Sequence, residues 1–142
     1  MSGPIIVGVD GSATAQKAAE KACELALKLD APLHVVSAHT KDEIAHVNFG
    51  GEEFVLSHAD EANDTAAKAA KDLRHTGADI TVAAAQGKPS EALIAYAERT
   101  GAQMIVVGNR RMRGMSRVLG SVANSVSHSA TCDVYIAHTS QR

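Results

Sequence analysis

The sequence predicts an open, doubly wound α/β domain: a five-stranded, mostly parallel sheet with four helices. Three observations carry that expectation. Short apolar runs without helical period recur along the chain, as strands covered on both faces require. Alanine-rich stretches with 3.6-residue periodicity alternate with them. The length, 142 residues, suits one core and hence a single domain over 1–142.

Residues 4–9 (PIIVGV) read as the first strand, and Asp10-Gly11-Ser12 ends it. A helix is predicted over 13–29, where Ala15, Ala18, Ala19, Ala22, Leu25, Ala26 and Leu29 share a face; Ser12 is placed to cap it. Residues 33–38 (LHVVSA) form the second strand. The mixed stretch 39–51, broken by Gly50-Gly51, reads as a mobile connection, and a long helix is expected over 53–75 with Gly77 ending it. Residues 79–84 (DITVAA) give the third strand, followed by a turn at Gln86-Gly87-Lys88-Pro89. Pro89 then stands where the first turn of a helix tolerates proline, and Leu93, Ile94 and Ala97 mark that helix. Residues 104–107 (MIVV) make the fourth strand, closed by Gly108. An arginine-rich loop over 109–117, a helix around 118–130 and a last strand over 133–138 (DVYIAH) complete the order.

Composition narrows the function classes. The chain is 45% apolar but only 3% aromatic, with no Trp, so alanine and branched aliphatics must build the core. A formal charge of −2 offers no global attraction to nucleic acid or to an anionic membrane, and any anion site must be local. No apolar run approaches the ~20 residues that span a bilayer, and Met1-Ser2-Gly3-Pro4 lacks the basic start of a signal peptide. Cys23 and Cys132 are the only cysteines. The expectation is a soluble cytoplasmic protein in a reducing compartment.

Two places could carry chemistry. After the first strand, Asp10 sets a carboxylate beside a glycine turn and a helix start, where it could meet a ribose, an adenine edge or a phosphate-held metal ion. The same Asp-Gly-Ser is also an ordinary turn and cap. After the fourth strand, Gly108 and Asn109 lead into Arg110, Arg111, Arg113, Gly114 and Arg117, then Gly120, Ser121 and Val122. Glycines admit an anion close to the backbone, a helix start points N–H groups at it, and guanidinium forks suit phosphate oxygens. A solvated basic loop is the plainer alternative. Neither a Walker A sequence nor G-x-G-x-x-G is present. The seven histidines show no zinc-site spacing, and no G-x-S-x-G turn supports a serine nucleophile.

The strand-plus-turn IIVGVDGS, Gly87-Lys88-Pro89 and the stretch MIVVGNRRMRGMSRVLGSVANSVSHSATCDVYIAH together resemble the universal stress protein family over nearly the whole chain. The resemblance implies an adenine nucleotide alpha hydrolase-like fold, and it places Val9 and Asp10 against a nucleoside and Ser37 and Ala38 beside adenine. It places Gly108, Gly120, Ser121 and Val122 around ribose and phosphates, with Asn109, Arg111 and Gly114 in the same loop. In ATP-binding members the loop runs Gly, two residues, Gly, nine residues, Gly and then Ser or Thr. Here Arg111 holds the second glycine position and eleven residues separate Gly108 from Gly120 where the pattern has twelve. The implied function is an adenine-nucleotide-binding stress-response or regulatory module for ATP, AMP or cAMP, with Mg accompanying ATP. The implied assembly is a homodimer through the C-terminal strand, acting on an unnamed protein partner, with no nucleic acid and no membrane insertion. A nucleotide-independent scaffold dimer and a weak ATPase or phosphotransferase remain as alternatives.

Overall fold

The computed structural model describes residues 3–40, 44–49, 52–109 and 119–139. Its elements run β1 (Ile5–Gly8), α1 (Ala13–Leu29), β2 (Leu33–His39), β3 (Ile44–Phe49), β4 (Glu52–Ser57), α2 (His58–Lys71), a 3-10 turn (Arg74–Thr76), β5 (Ile80–Gln86), α3 (Pro89–Thr100), β6 (Met104–Gly108), α4 (Ser121–Ser129) and β7 (Asp133–Ala137). Five strands form one sheet in the order β5-β2-β1-β6-β7, and every pairing in it is parallel. This is the predicted five-stranded α/β sheet with four helices.

The alternation of side chains along each strand divides the core in two. Ile5 and Val7 of β1, Leu33 and Val35 of β2 and Val106 of β6 face α1 and α2, where Ala18, Ala22, Ala26, Ala66 and Ala70 let the helices lie close. Ile6, Val36, Ile105 and Val107 face the other way, against Leu93, Tyr96 and Ala97 of α3 and Ala123 and Val126 of α4. Burial on both faces is why these strands read as continuous apolar runs.

Local chemistry fixes the element ends. Ser12 Oγ accepts the Ala15 N–H at 3.1 Å and caps α1, whose C-terminus turns at Asp30 with φ +52°. Pro89 opens α3 behind Lys88, and Gly101 in the left-handed region closes it.

Three expectations are corrected. β3 and β4 pair antiparallel, with Phe49 opposite Glu52, so the connection after β2 contains regular structure and α2 starts at His58. The capping explains that start: Ser57 has extended backbone and its Oγ accepts the Asp60 N–H at 3.0 Å. The helix also stops earlier than 75, at Lys71, and the 3-10 turn carries the chain to Gly77, which has φ +84°. Similarly, α4 begins at Ser121 with Gly120 as its N-cap. The arginines at 110, 111, 113 and 117 and Gly114 lie outside the described residues.

β7 is an edge strand, as expected. Its outer positions Tyr135 and Ile136 are 36% and 38% exposed, whereas Ala137 is buried.

Candidate functional site

The chain leaves β1 toward β2 and β5 on one side of the sheet, and β6 and β7 lie on the other. Strand order therefore reverses between β1 and β6, which pair directly through Val7 and Val106. Loops leaving the carboxyl ends of two such strands diverge and leave a crevice. A cavity of about 170 Å³ opens there. Val36, Leu93, Val107 and Val122 give it apolar walls, while Asp10, Ser12 and Thr14 supply polar groups from the first turn.

Gly8 forms part of this wall because no side chain fits. A Cβ there would lie 2.7 Å from Leu93 Cδ1, which is how α3 comes so close to β1. Asp10 is exposed, and its Oδ1 accepts the Ser12 N–H at 2.9 Å. That bond is the turn expected of Asp-Gly-Ser, and Gly11 follows with φ +87°. It also fixes the carboxylate at the cavity mouth.

A second hollow of about 350 Å³ adjoins the first and shares Asp10 and Ala38 with it. Ser37, Thr40, His58, Glu61 and Thr65 contribute to its walls. Successive β2 side chains alternate, so Ser37, 4% exposed, follows Val35 toward α1 and α2, whereas Ala38 follows Val36 toward α3.

Of the residues singled out in the sequence, Val9, Asp10, Ala38, Gly108 and Val122 line the first cavity. Ser37 lines the second. Gly120 and Ser121 form the start of α4 one step from Val122, and Gly120 offers no side-chain cap to that helix. Among the described residues no side chain caps the first N–H groups of α4, which suits them to an anionic acceptor. Arg111 and Gly114 lie outside the described residues. Asn109 is engaged in structure: its Oδ1 accepts the Thr139 N–H at 2.8 Å and the Thr139 hydroxyl at 3.2 Å. Thr14, Val36, Leu93 and Val107 were not anticipated as site residues. Thr14 lies in the first turn of α1, whereas Val36, Leu93 and Val107 lie within β2, α3 and β6, where the sequence pattern marks them only as core positions.

Groups with displaced proton affinity lie elsewhere. Burial lowers the pKa of His34, near the start of β2, against an opposing pull from Asp79. Its Nδ1 and the Tyr96 hydroxyl share a 2.7 Å hydrogen bond, and burial raises the Tyr96 pKa. Burial also raises that of the Cys132 thiol, with Asp133 adding to the effect. Among the described residues no group of three His, Cys, Asp or Glu side chains could hold a metal ion.

The arrangement suits a ligand with a flat or apolar body, hydroxyls near Asp10 and an anionic end near α4. The donor set fits an adenine nucleotide: apolar walls for the nucleoside, a carboxylate acceptor for its hydroxyls, and an uncapped helix start for phosphate.

Comparison with known proteins agrees with the architecture. The profile of the universal stress protein family matches residues 1–138. Universal stress protein YxiE of Bacillus subtilis is 28% identical over 146 residues, covering 96% of this chain and 99% of that protein. Universal stress protein Rv1636 of Mycobacterium tuberculosis is 30% identical over 150 residues, covering 95% of each. Among solved structures, a universal stress protein in complex with cAMP superposes with a TM-score of 0.74 at 27% identity, covering 97% of this chain and 98% of that one. The chain has the adenine nucleotide alpha hydrolase-like fold of these neighbours and belongs to the universal stress protein family.

Proposed function

We propose that this chain, folded as one domain over 1–142, binds an adenine nucleotide at the carboxyl ends of β1 and β6 and serves as a cytoplasmic regulatory module. The observation that carries this reading is the hollow at the strand-order reversal, bordered by Val122 of α4, together with the adjoining hollow between the end of β2 and α2, the two sharing Asp10. The two hollows together fall within the ~300 to 1,000 Å³ of small-molecule sites, whereas the first alone is too small for a nucleoside. The structural relative solved with cAMP supports the ligand class.

In this reading Asp10 and the backbone near Val9 face the nucleoside, Ser37 and Ala38 border adenine, and Gly108, Gly120, Ser121 and Val122 surround the ribose and phosphates. ATP, AMP and cAMP all present these features. Magnesium would accompany ATP, with Asp10 the carboxylate of this site nearest to it. The ligand acts by favouring one arrangement of the loop and α4, and thereby one surface for a partner protein. A homodimer through the β7 edge completes the assembly, since antiparallel pairing with a two-fold mate would cover its unpaired backbone.

Calorimetric titration with ATP, ADP, AMP and cAMP tests the reading. Asp10→Ala removes a hydrogen bond to a charged group and is expected to weaken binding about 10- to 100-fold. If no nucleotide binds at millimolar concentration, the reading is wrong. The sequence at Arg111, which replaces the second loop glycine, favours the alternative of a nucleotide-independent scaffold dimer in that event. Arg111→Gly separates the two roles of that arginine: tighter binding marks obstruction, weaker binding marks a phosphate contact.

A further inference from the structure

Asn109 joins three separate chain segments. Its backbone N–H donates to the Ala137 carbonyl at 2.9 Å, tying it to the end of β7, and its carbonyl accepts the Gly120 N–H at 3.1 Å, tying it to the N-cap of α4. Its side-chain Oδ1 accepts both the N–H and the hydroxyl of Thr139, just beyond β7. Thr139 is 1% exposed, so its hydroxyl has no water to turn to if this acceptor is lost. Its methyl also lies against the site: a Cβ on Gly108 would sit 3.3 Å from Thr139 Cγ2.

A buried polar side chain held by one partner is costly to free, and here the partner is the residue that anchors the first turn of α4. The start of α4 is the phosphate side of the candidate site, and β7 is one of the two edge strands of the sheet. These two surfaces are therefore joined through one residue, by its backbone carbonyl on the α4 side and its side-chain carboxamide on the Thr139 side. We propose that Asn109 is a positioning residue that couples the start of α4 to the chain leaving β7, so that order imposed at one is felt at the other. The ligand half of this statement rests on the nucleotide reading; the coupling itself does not.

The test uses amide hydrogen exchange on the full chain with Asn109→Ala, Thr139→Val and Thr139→Ser. The informative probe is the Gly120 N–H, because its acceptor is the Asn109 backbone, which every variant retains. Without ligand, Asn109→Ala is expected to speed Gly120 exchange about five- to tenfold, and Thr139→Val about two- to threefold, by loss of the buried side-chain bonds. Thr139→Ser is expected to restore the wild-type rate, and amides of β1 and β2 to stay unchanged. If only the Thr139 amide accelerates in Asn109→Ala while Gly120 is unmoved, the coupling is refuted. Should Asn109→Ala fail to fold, the Thr139→Val and Thr139→Ser pair decides by the same probe. With saturating AMP, Thr139 exchange is expected to slow in wild type and not in Asn109→Ala; a wild type that binds AMP without slowing Thr139 also refutes it. A wild type that binds no AMP overturns the nucleotide reading, and the ligand-free arm still decides the role of Asn109.

Discussion

Replacing Gly8 by alanine tests whether the contact between β1 and α3 sets the shape of the cavity. The added Cβ would lie 2.7 Å from Leu93 Cδ1 and 3.2 Å from Cδ2, and Leu93 is only 3% exposed. Overpacking of this kind costs ~1 to 3 kcal/mol. Alanine in a strand recovers ~0.5 to 1 kcal/mol of the backbone freedom that glycine loses on folding. The net expectation is a loss of about 0.5 to 2 kcal/mol, or roughly 2 to 8 °C in Tm for a chain of this size. The lower part of that range is favoured because Leu93 borders the cavity and can yield into it. The sign should invert in a Leu93→Ala background. With the leucine gone, only the backbone term remains, and Gly8→Ala should stabilise by ~0.5 to 1 kcal/mol. Urea unfolding of the four proteins in the cycle measures both quantities. An effect of Gly8→Ala that is the same in the two backgrounds would refute the proposed contact.

Three further outcomes follow from particular residues. Ser57→Ala removes the acceptor for the Asp60 N–H and is expected to cost about 1 kcal/mol of stability in urea titration; no change would mean that Ser57 does not set the start of α2. Burial lowers the His34 pKa in the folded state, so as pH falls through the ordinary histidine range the unfolded chain takes up a proton that the folded chain resists. Stability should therefore fall as pH drops through that range toward the lowered folded pKa, and the slope should flatten in His34→Gln; equal slopes would count against it. Sedimentation velocity is expected to show a dimer at micromolar concentration that Ile136→Lys weakens by placing a charge on the β7 edge; a monomeric wild type would remove the dimer.

What the sequence disclosed and what it hid have separate physical origins. The parallel strands were legible because burial on both faces leaves an uninterrupted apolar run, as in Ile5 to Val7 and Ile105 to Val107. The Asp10 turn and the Ser12 cap were legible because each hydrogen bond spans two or three residues. The β3–β4 hairpin was missed because helical character was extended backward from the alanines of α2 through Glu53. Two local signals opposed that: Gly50-Gly51, a favoured two-residue hairpin connection, and Ser57 three residues before Asp60, a capping pattern. The cavity walls were harder to see. Val36, Leu93 and Val107 are ordinary core positions of three different elements, and only the sheet order brings them to one crevice. The Asn109–Thr139 bond spans thirty residues and had no local signal at all.

The most direct test of the central claim is a backbone amide chemical-shift map of the protein titrated with AMP. Binding at the reversal of strand order should shift Asp10, Ala38, Gly108, Ser121 and Val122 together, in one saturable transition, while the amides of His34 and Asp79 at the opposite end of the sheet stay in place. Absence of any shift at millimolar AMP, or shifts gathered away from the carboxyl ends of β1 and β6, would contradict the claim.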